Sequence, residues 1–230
     1  MRLHFIQQEP FEYPANILTW AKGKGFTISA TMAYKGEAYP DSSSLDWLII
    51  MGGSMGVHDE KSHGWLLNEK RFIEKAIRDE KKVIGICLGA QLISHVLGGK
   101  VYSNEFQEIG WFPVKLMGDA AKSQVFKGFP ATFTAFHWHG DTFEIPKNAV
   151  HLAESEACRN QAFDYASGQV VGLQLHIEVD KRCLDNMAAY LAKNKHAGKY
   201  VQSNSRLLMH DGYLHNIRKL LFRMLDNIHY

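Results

Sequence analysis

Val83-Ile84-Gly85-Ile86-Cys87-Leu88-Gly89-Ala90-Gln91-Leu92-Ile93 decides how the rest of the chain is read. A β-branched run enters Gly-x-Cys-x-Gly, and an apolar pattern with helical character follows at once. This is the layout of a nucleophile elbow, a sharp strand-to-helix turn that presents its central side chain, here Cys87. A Cβ at position 85 or 89 would crowd the backbone of such a turn, so both glycines fit it. At the start of a helix the thiol is expected to feel the positive end of the helix dipole. That position, or a neighbouring imidazolium, lowers a cysteine pKa from its usual value of about 8.5. Cysteine is also among the most buried residue types, so the motif alone allows a packed thiol as well. A nucleophile needs a base, a group that orients the base and an oxyanion site elsewhere in the chain.

Outward from the elbow, the first half alternates strands and helices. Leu3–Ile6, Phe26–Thr31, Trp47–Met51 and Val83–Ile86 read as strands, and residues 13–24, 64–80 and 88–97 as helices. Leu66, Ile73 and Ile77 share one face of the second helix, and Gly98-Gly99 stops the third. Such alternation predicts a mostly parallel, open twisted sheet flanked by helices, an α/β fold. In the second half, Val101–Tyr102, Gly110–Leu116, Phe133–His139, Val150–Glu154 and Gln169–His176 are short strand-like runs, predicting an antiparallel or mixed extension of that sheet. Asp180 is placed to cap a helix from Lys181 to about Lys195. A last helix near 206–228 aligns Leu214, Ile217, Leu221, Met224, Leu225 and Ile228, a stripe that suits an intramolecular core better than a homo-oligomer interface. Residues 1–230 are expected to form one domain with a C-terminal helical extension at about 200–230.

Of the 230 residues 46% are hydrophobic and 22% charged, with a net charge of +2, so no electrostatic case arises for nucleic acid. No stretch reaches the roughly 20 apolar residues a membrane span needs. Residues 1–7 turn polar too early for a signal peptide. Cys87, Cys158 and Cys183 have no metal-type spacing, which argues for a reducing cytoplasm and against a disulfide scaffold. His4, His196, His210 and His229 are scattered and read as surface or polar-network residues.

Three segments answer the question that Cys87 raises. Asp46-Trp47-Leu48-Ile49-Ile50-Met51-Gly52-Gly53-Ser54-Met55-Gly56 runs a strand into a glycine loop whose N–H groups can face a ligand. In an elbow enzyme one oxyanion donor follows the nucleophile, here Leu88, and the other comes from a separate loop, here Gly53. The phosphate-loop signatures are missing after this strand. Val170-Val171-Gly172-Leu173-Gln174-Leu175-His176-Ile177-Glu178 places His176 and Glu178 on one side of a strand, where Glu178 can orient His176 as a base. Phe136-His137-Trp138-His139-Gly140-Asp141 allows zinc, but a loop recognising polar parts of a substrate is the more economical reading, and neither metal nor cofactor is expected.

With these motifs in that order, Asp46 to Glu178 resembles the class I glutamine amidotransferases, the Cys-His-Glu glutaminases, and most of all the glutaminase domain of GMP synthase and its stand-alone relatives. The resemblance implies a flavodoxin-like architecture with Cys87 as nucleophile, His176 as base and Glu178 as its orienter. It implies Gly53 and Leu88 as the oxyanion hole, and Gln91, with His139, Gly140 and Asp141, on the substrate. Hydrolysis of glutamine's side-chain amide would pass through a γ-glutamyl thioester on Cys87 and release ammonia to a separate synthetase subunit. The alternatives are a stand-alone hydrolase of γ-glutamyl conjugates and a non-catalytic binding module. Two departures stand out. Leu175 and Ile177 replace the phenylalanine and proline of Gln-Phe-His-Pro-Glu, and Ser54 replaces the proline of Gly-Gly-Pro.

Overall fold

The β-branched runs of the first half pair side by side in a computed structural model that describes residues 1–192, 196–208 and 211–229. Strands β1 (Arg2–Gln7), β2 (Thr27–Met32), β3 (Trp47–Ile50), β4 (Lys82–Ile86) and, much later in the chain, β9 (Val170–Leu173) are parallel, in the order β2-β1-β3-β4-β9. All four residues of β3 and β9 are buried, as expected of strands covered on both faces. Side-chain alternation divides the interior in two. Ile49, Ile84 and Ile86 face one core, whereas Leu48, Ile50 and Val83 face the other.

Helices α2 (Trp65–Arg78) and α3 (Leu88–Val96) cover the second of these faces, with Leu66, Phe72 and Ile73 in the same core as Leu88 and Leu92. Helix α1 (Ala15–Gly23) covers the other face together with α4 (Lys181–Leu191) and α6 (Asp211–His229). Asp180 caps α4 by accepting from Cys183 N at 2.9 Å. The predicted continuation of that helix over 193–195 lies outside the described residues. The C-terminal stripe is turned inward: Ile217, Leu221, Met224, Leu225 and Ile228 are buried in the core that holds Trp20 and Phe26. Of the helix expected at 206–228, the structure describes α5 (Asn204–Leu208) and α6, residues 209–210 between them lie outside the described residues, and the short strand β10 (Tyr200–Val201) comes before both.

Beyond β9 the sheet turns antiparallel through β8 (Ala162–Tyr165), β7 (Val150–Ser155) and β5 (Val101–Leu116), with β6 (Thr132–Phe143) paired to β5 and β10 at the far edge. The two runs expected at 101–102 and 110–116 are thus one 16-residue strand, with a register shift between Ser103 and Glu108. The His-Gly-Asp segment is also not a loop. Glu108 pairs with His139 and Ser103 with Asp141, which makes residues 137–141 strand. Its polar residues hid that pairing, because the partner strand lies about thirty residues away in sequence.

Candidate active site

Three adjacent parallel strands end at one place. Residues 51–53 leave β3, Cys87 leaves β4 and residues 174–178 leave β9, so the motifs separated in sequence converge at the carboxyl edge of the sheet. Cys87 has φ +50° and ψ −109°, a conformation that costs an L-residue energy and persists only where its surroundings enforce it. Gly85 and Gly89 do so by close approach. A Cβ on Gly85 would lie 2.6 Å from Ala90 N, and one on Gly89 would lie 2.8 Å from the carbonyl carbon of Ile50.

His176 Nδ1 lies 2.7 Å from Glu178 Oε1, and both residues are buried. Strand β9 stops at Leu173, so this pair forms in the bend that follows and is tied to β6 by the Phe136–His176 bridge. Burial opposes a charge on His176, but the carboxylate of Glu178, bound to its Nδ1, and the neighbouring Cys87 raise its pKa well above the ordinary value. Burial pushes the Cys87 thiol up, while His176 and the Leu88 N–H pull against it. The expected dipole-lowered thiol is therefore corrected. Burial is the largest influence on this thiol and sets the direction.

A cavity of about 370 Å³ opens above the thiol, lined by Cys87, Gly53, Gln91, His139, Gly140 and Asp141 together with Phe11, Glu12, Trp138, Tyr190 and His196. His176, Glu178 and Leu88 are buried beside it. A Cβ on Gly53 would lie 3.1 Å from Leu88 Cδ2, so the two residues expected to form the oxyanion hole are neighbours. Ser54 Oγ donates to Glu9 Oε1 at 2.5 Å. Gln91 Nε2 donates to Gln174 Oε1 at 3.1 Å, and Gln174 Nε2 reaches Cys87 Sγ at 3.5 Å. The Asp141 carboxylate accepts from Ser103 at 3.1 Å, while its backbone carbonyl faces His139 Nδ1 at 3.0 Å.

Sequence reasoning missed two polar members. Gln174 was read only as part of the histidine motif, and it reaches the thiol because β9 ends beside β4. Glu12 comes from the loop after β1. It is buried, its Oε2 has no hydrogen-bond partner, and it packs on Gly52, where a Cβ would lie 3.1 Å from its Cδ and 3.4 Å from Cys87 Cβ. Burial raises its pKa to about 7, His176 opposes that rise, and Glu178 and Glu9 add to it. No motif marks such a residue; only the glycine at 52, which leaves room for a carboxyl, hints at it.

The remaining histidines and cysteines separate clearly. His4 lies between Ser29 Oγ at 2.8 Å and Thr31 Oγ1 at 3.0 Å, His229 packs among Trp20, Phe26 and Trp47, and His210 is outside the described residues. Cys158 and Cys183 are buried away from the cavity, and burial raises both thiols, the first to about 11. Among the described residues Glu108, His137 and His139 bring ligand atoms within 4.8 Å of one another, the spacing that could hold a metal ion. Asp141 is not part of that group. Glu108 Oε2 already accepts from Gln161 at 2.7 Å and Ser155 at 3.0 Å and faces His139 Nε2 at 3.1 Å, so the cluster also serves as a polar brace between β5, β6 and β7.

The sequence model of the family described as "Glutamine amidotransferase class-I" matches residues 26–192, which include the glycine loop, the elbow and the His-x-Glu pair. The chain belongs to the class I glutamine amidotransferase family. This amidotransferase-family chain is 34% identical over 191 residues to the glutamine amidotransferase-like protein YfeJ of Salmonella typhimurium, covering 81% of this chain and 80% of that one. It is 35% identical over 133 residues to the glutamine-hydrolysing GMP synthase of Bacillus pumilus, covering 57% of this chain but only 24% of that longer protein. Among solved structures, a glutamine amidotransferase from Thermotoga maritima superposes with a TM-score of 0.87 at 30% identity, over 99% of this chain and 97% of that one. The protein SMU.1228c superposes with a TM-score of 0.93 at 29% identity over the full length of both chains. No described helix of this amidotransferase-family protein is long and apolar enough to cross a membrane.

Proposed function

We propose that this protein is a cysteine amidohydrolase that cleaves the side-chain amide of glutamine or a γ-glutamyl amide. One observation carries the reading: Cys87 is held at a strained elbow beside a buried His176 that is bound at 2.7 Å to Glu178. The thiol passes its proton to His176 Nε2, the ring nitrogen not taken by Glu178, and attacks the amide carbon. The N–H groups of Leu88 and Gly53 hold the oxyanion, and a donor so placed is worth about 10²–10³ in rate. His176 then protonates the amide nitrogen, the C–N bond breaks, and the amine departs from a γ-glutamyl thioester. Water activated by the same imidazole cleaves the thioester, giving glutamate and a free thiol. Gln91 and the β6 segment His139–Asp141 would seat the α-amino and α-carboxylate groups, since they form the polar wall of the cavity.

When glutamine is the substrate, a separate synthetase subunit would take up the ammonia, a reading supported by the glutamine-hydrolysing GMP synthases, of whose length the match covers 24%. The test is Cys87→Ala. Product release should vanish while far-UV circular dichroism and the melting temperature stay within error of the parent. Turnover above about 1% of the parent rate would overturn the assignment.

A further inference from the structure

Three rings line one side of the cavity: Phe11 from the loop after β1, Trp138 from β6 and Tyr190 from α4. They form a continuous wall, with centroid separations of 6.0 Å for Phe11–Trp138, 5.2 Å for Phe11–Tyr190 and 5.6 Å for Trp138–Tyr190. All three are only half-buried and line the cavity. The same cavity has a polar lining, in which Gln91 is held by Gln174 and by the Asp141 carbonyl.

The chemistry says which end of a substrate the wall meets. The departing nitrogen must face His176, its proton donor. Glu12 is electrostatically coupled to His176 and Glu178, and it is joined directly to Phe11 in the chain. Its Oε2 is buried with no partner, an arrangement that native structures rarely leave unused. Ammonia, the leaving group of glutamine, would satisfy that carboxyl but leave the three rings with nothing to cover.

Resting on the amidohydrolase reading above, we infer that the site takes γ-glutamyl amides whose amine carries an aromatic or flat apolar substituent, stacked on Phe11, Trp138 and Tyr190 with its amide N–H donated to Glu12. The bonds are those of the parent reaction. The C–N bond breaks, the C–S bond to Cys87 forms, the thiol proton reaches the departing amine through His176, and water restores the thiol. The products are glutamate and the arylalkyl amine.

The experiment compares γ-glutamyl-phenethylamide with γ-glutamyl-ethylamide and glutamine. The two amines have similar basicity, so bond breaking is matched and only the substituent differs. An apolar pocket discriminates by about 10–200-fold, so kcat/KM for the phenethylamide should exceed that for the ethylamide by at least about tenfold. Phe11→Ala and Tyr190→Leu, examined separately in case one destabilises the fold, should each cut that ratio several-fold. Cleavage of both amides with equal kcat/KM, and no change of ratio in either variant, overturns the inference while leaving the amidohydrolase reading intact. Glutamine cleavage without cleavage of either amide does the same and assigns the rings to a partner's docking surface. No cleavage of any of the three overturns both.

Discussion

Gly89→Ala is expected to separate the elbow's geometry from its chemistry. The added methyl would press into the backbone at the end of β3, 2.8 Å from the carbonyl carbon of Ile50 and 3.0 Å from its Cβ. Carbon atoms settle at about 3.5–4.0 Å, so strand and helix must separate by about 0.5–1 Å. The backbone carbonyl of Ile50 cannot swing aside as a flexible side chain would, and Ile50 is the last residue of β3. The displacement therefore passes directly to residues 51–53, the glycine loop that faces Cys87. Overpacking of this kind costs about 1–3 kcal/mol of stability. A 1 Å misplacement at a reacting centre costs about 10²-fold in rate. The expected result is a kcat lowered by about 10²-fold, with a melting temperature reduced by several degrees and a thiol at Cys87 still open to alkylation by iodoacetamide. Gly23→Ala is the matched control. A Cβ there meets nothing within 4 Å and the residue's φ is not positive, so stability should be unchanged or raised by about 0.4–1 kcal/mol. A Gly89→Ala enzyme with kcat within threefold of the parent would refute the close approach of α3 to β3, and with it the reason for a glycine at the elbow.

Glu178→Gln removes the charge that raises His176, so the imidazolium loses its support and the thiolate should form at higher pH. The acid limb of Cys87 alkylation should move upward and kcat should fall by about 10²–10⁴-fold, as when a neutral group replaces the carboxylate of a comparable triad. Glu12 should ionise near pH 7, facing His176, Glu178, Glu9 and Cys87. An inflection near neutral pH in kcat/KM that disappears in Glu12→Gln, while the Glu178-dependent limb remains, is the expected signature, and an unchanged profile would exclude Glu12 from the reaction. Glu69 offers a check on stability alone. Burial raises its pKa to about 8, against the hydrogen bonds from Gln8 at 2.6 Å and Tyr39 at 3.3 Å. Because the folded value lies above the unfolded one, stability is full below about pH 4.5 and declines as pH rises toward 8. Glu69→Gln should therefore raise the melting temperature at pH 8 more than at pH 5, and an equal effect at both would contradict the shift.

The elbow, the glycine loop and the parallel half of the sheet were legible in the chain because each is coded locally. β-branched runs, helical spacing and glycines at 85 and 89 act on their own neighbours. The His176–Glu178 pair was expected from strand alternation, and the two side chains do meet, but in a bend beyond Leu173. The i, i+2 spacing brought them together without the strand that had been invoked. The antiparallel half was harder, since the pairing of residues 137–141 with β5 depends on a distant partner and not on their own pattern.

What the sequence by itself determined is the elbow at Cys87 and the strands that carry it, because an elbow is a property of a few consecutive residues. Only the tertiary structure decided the surroundings. Glu12 and Phe11 arrive from the end of β1, Gln174 from β9, Trp138 from β6 and Tyr190 from α4. The same enclosure makes burial the largest influence on the Cys87 thiol. Desolvation and ring contacts are sums over atoms that the chain brings together from far apart, and no local pattern encodes them.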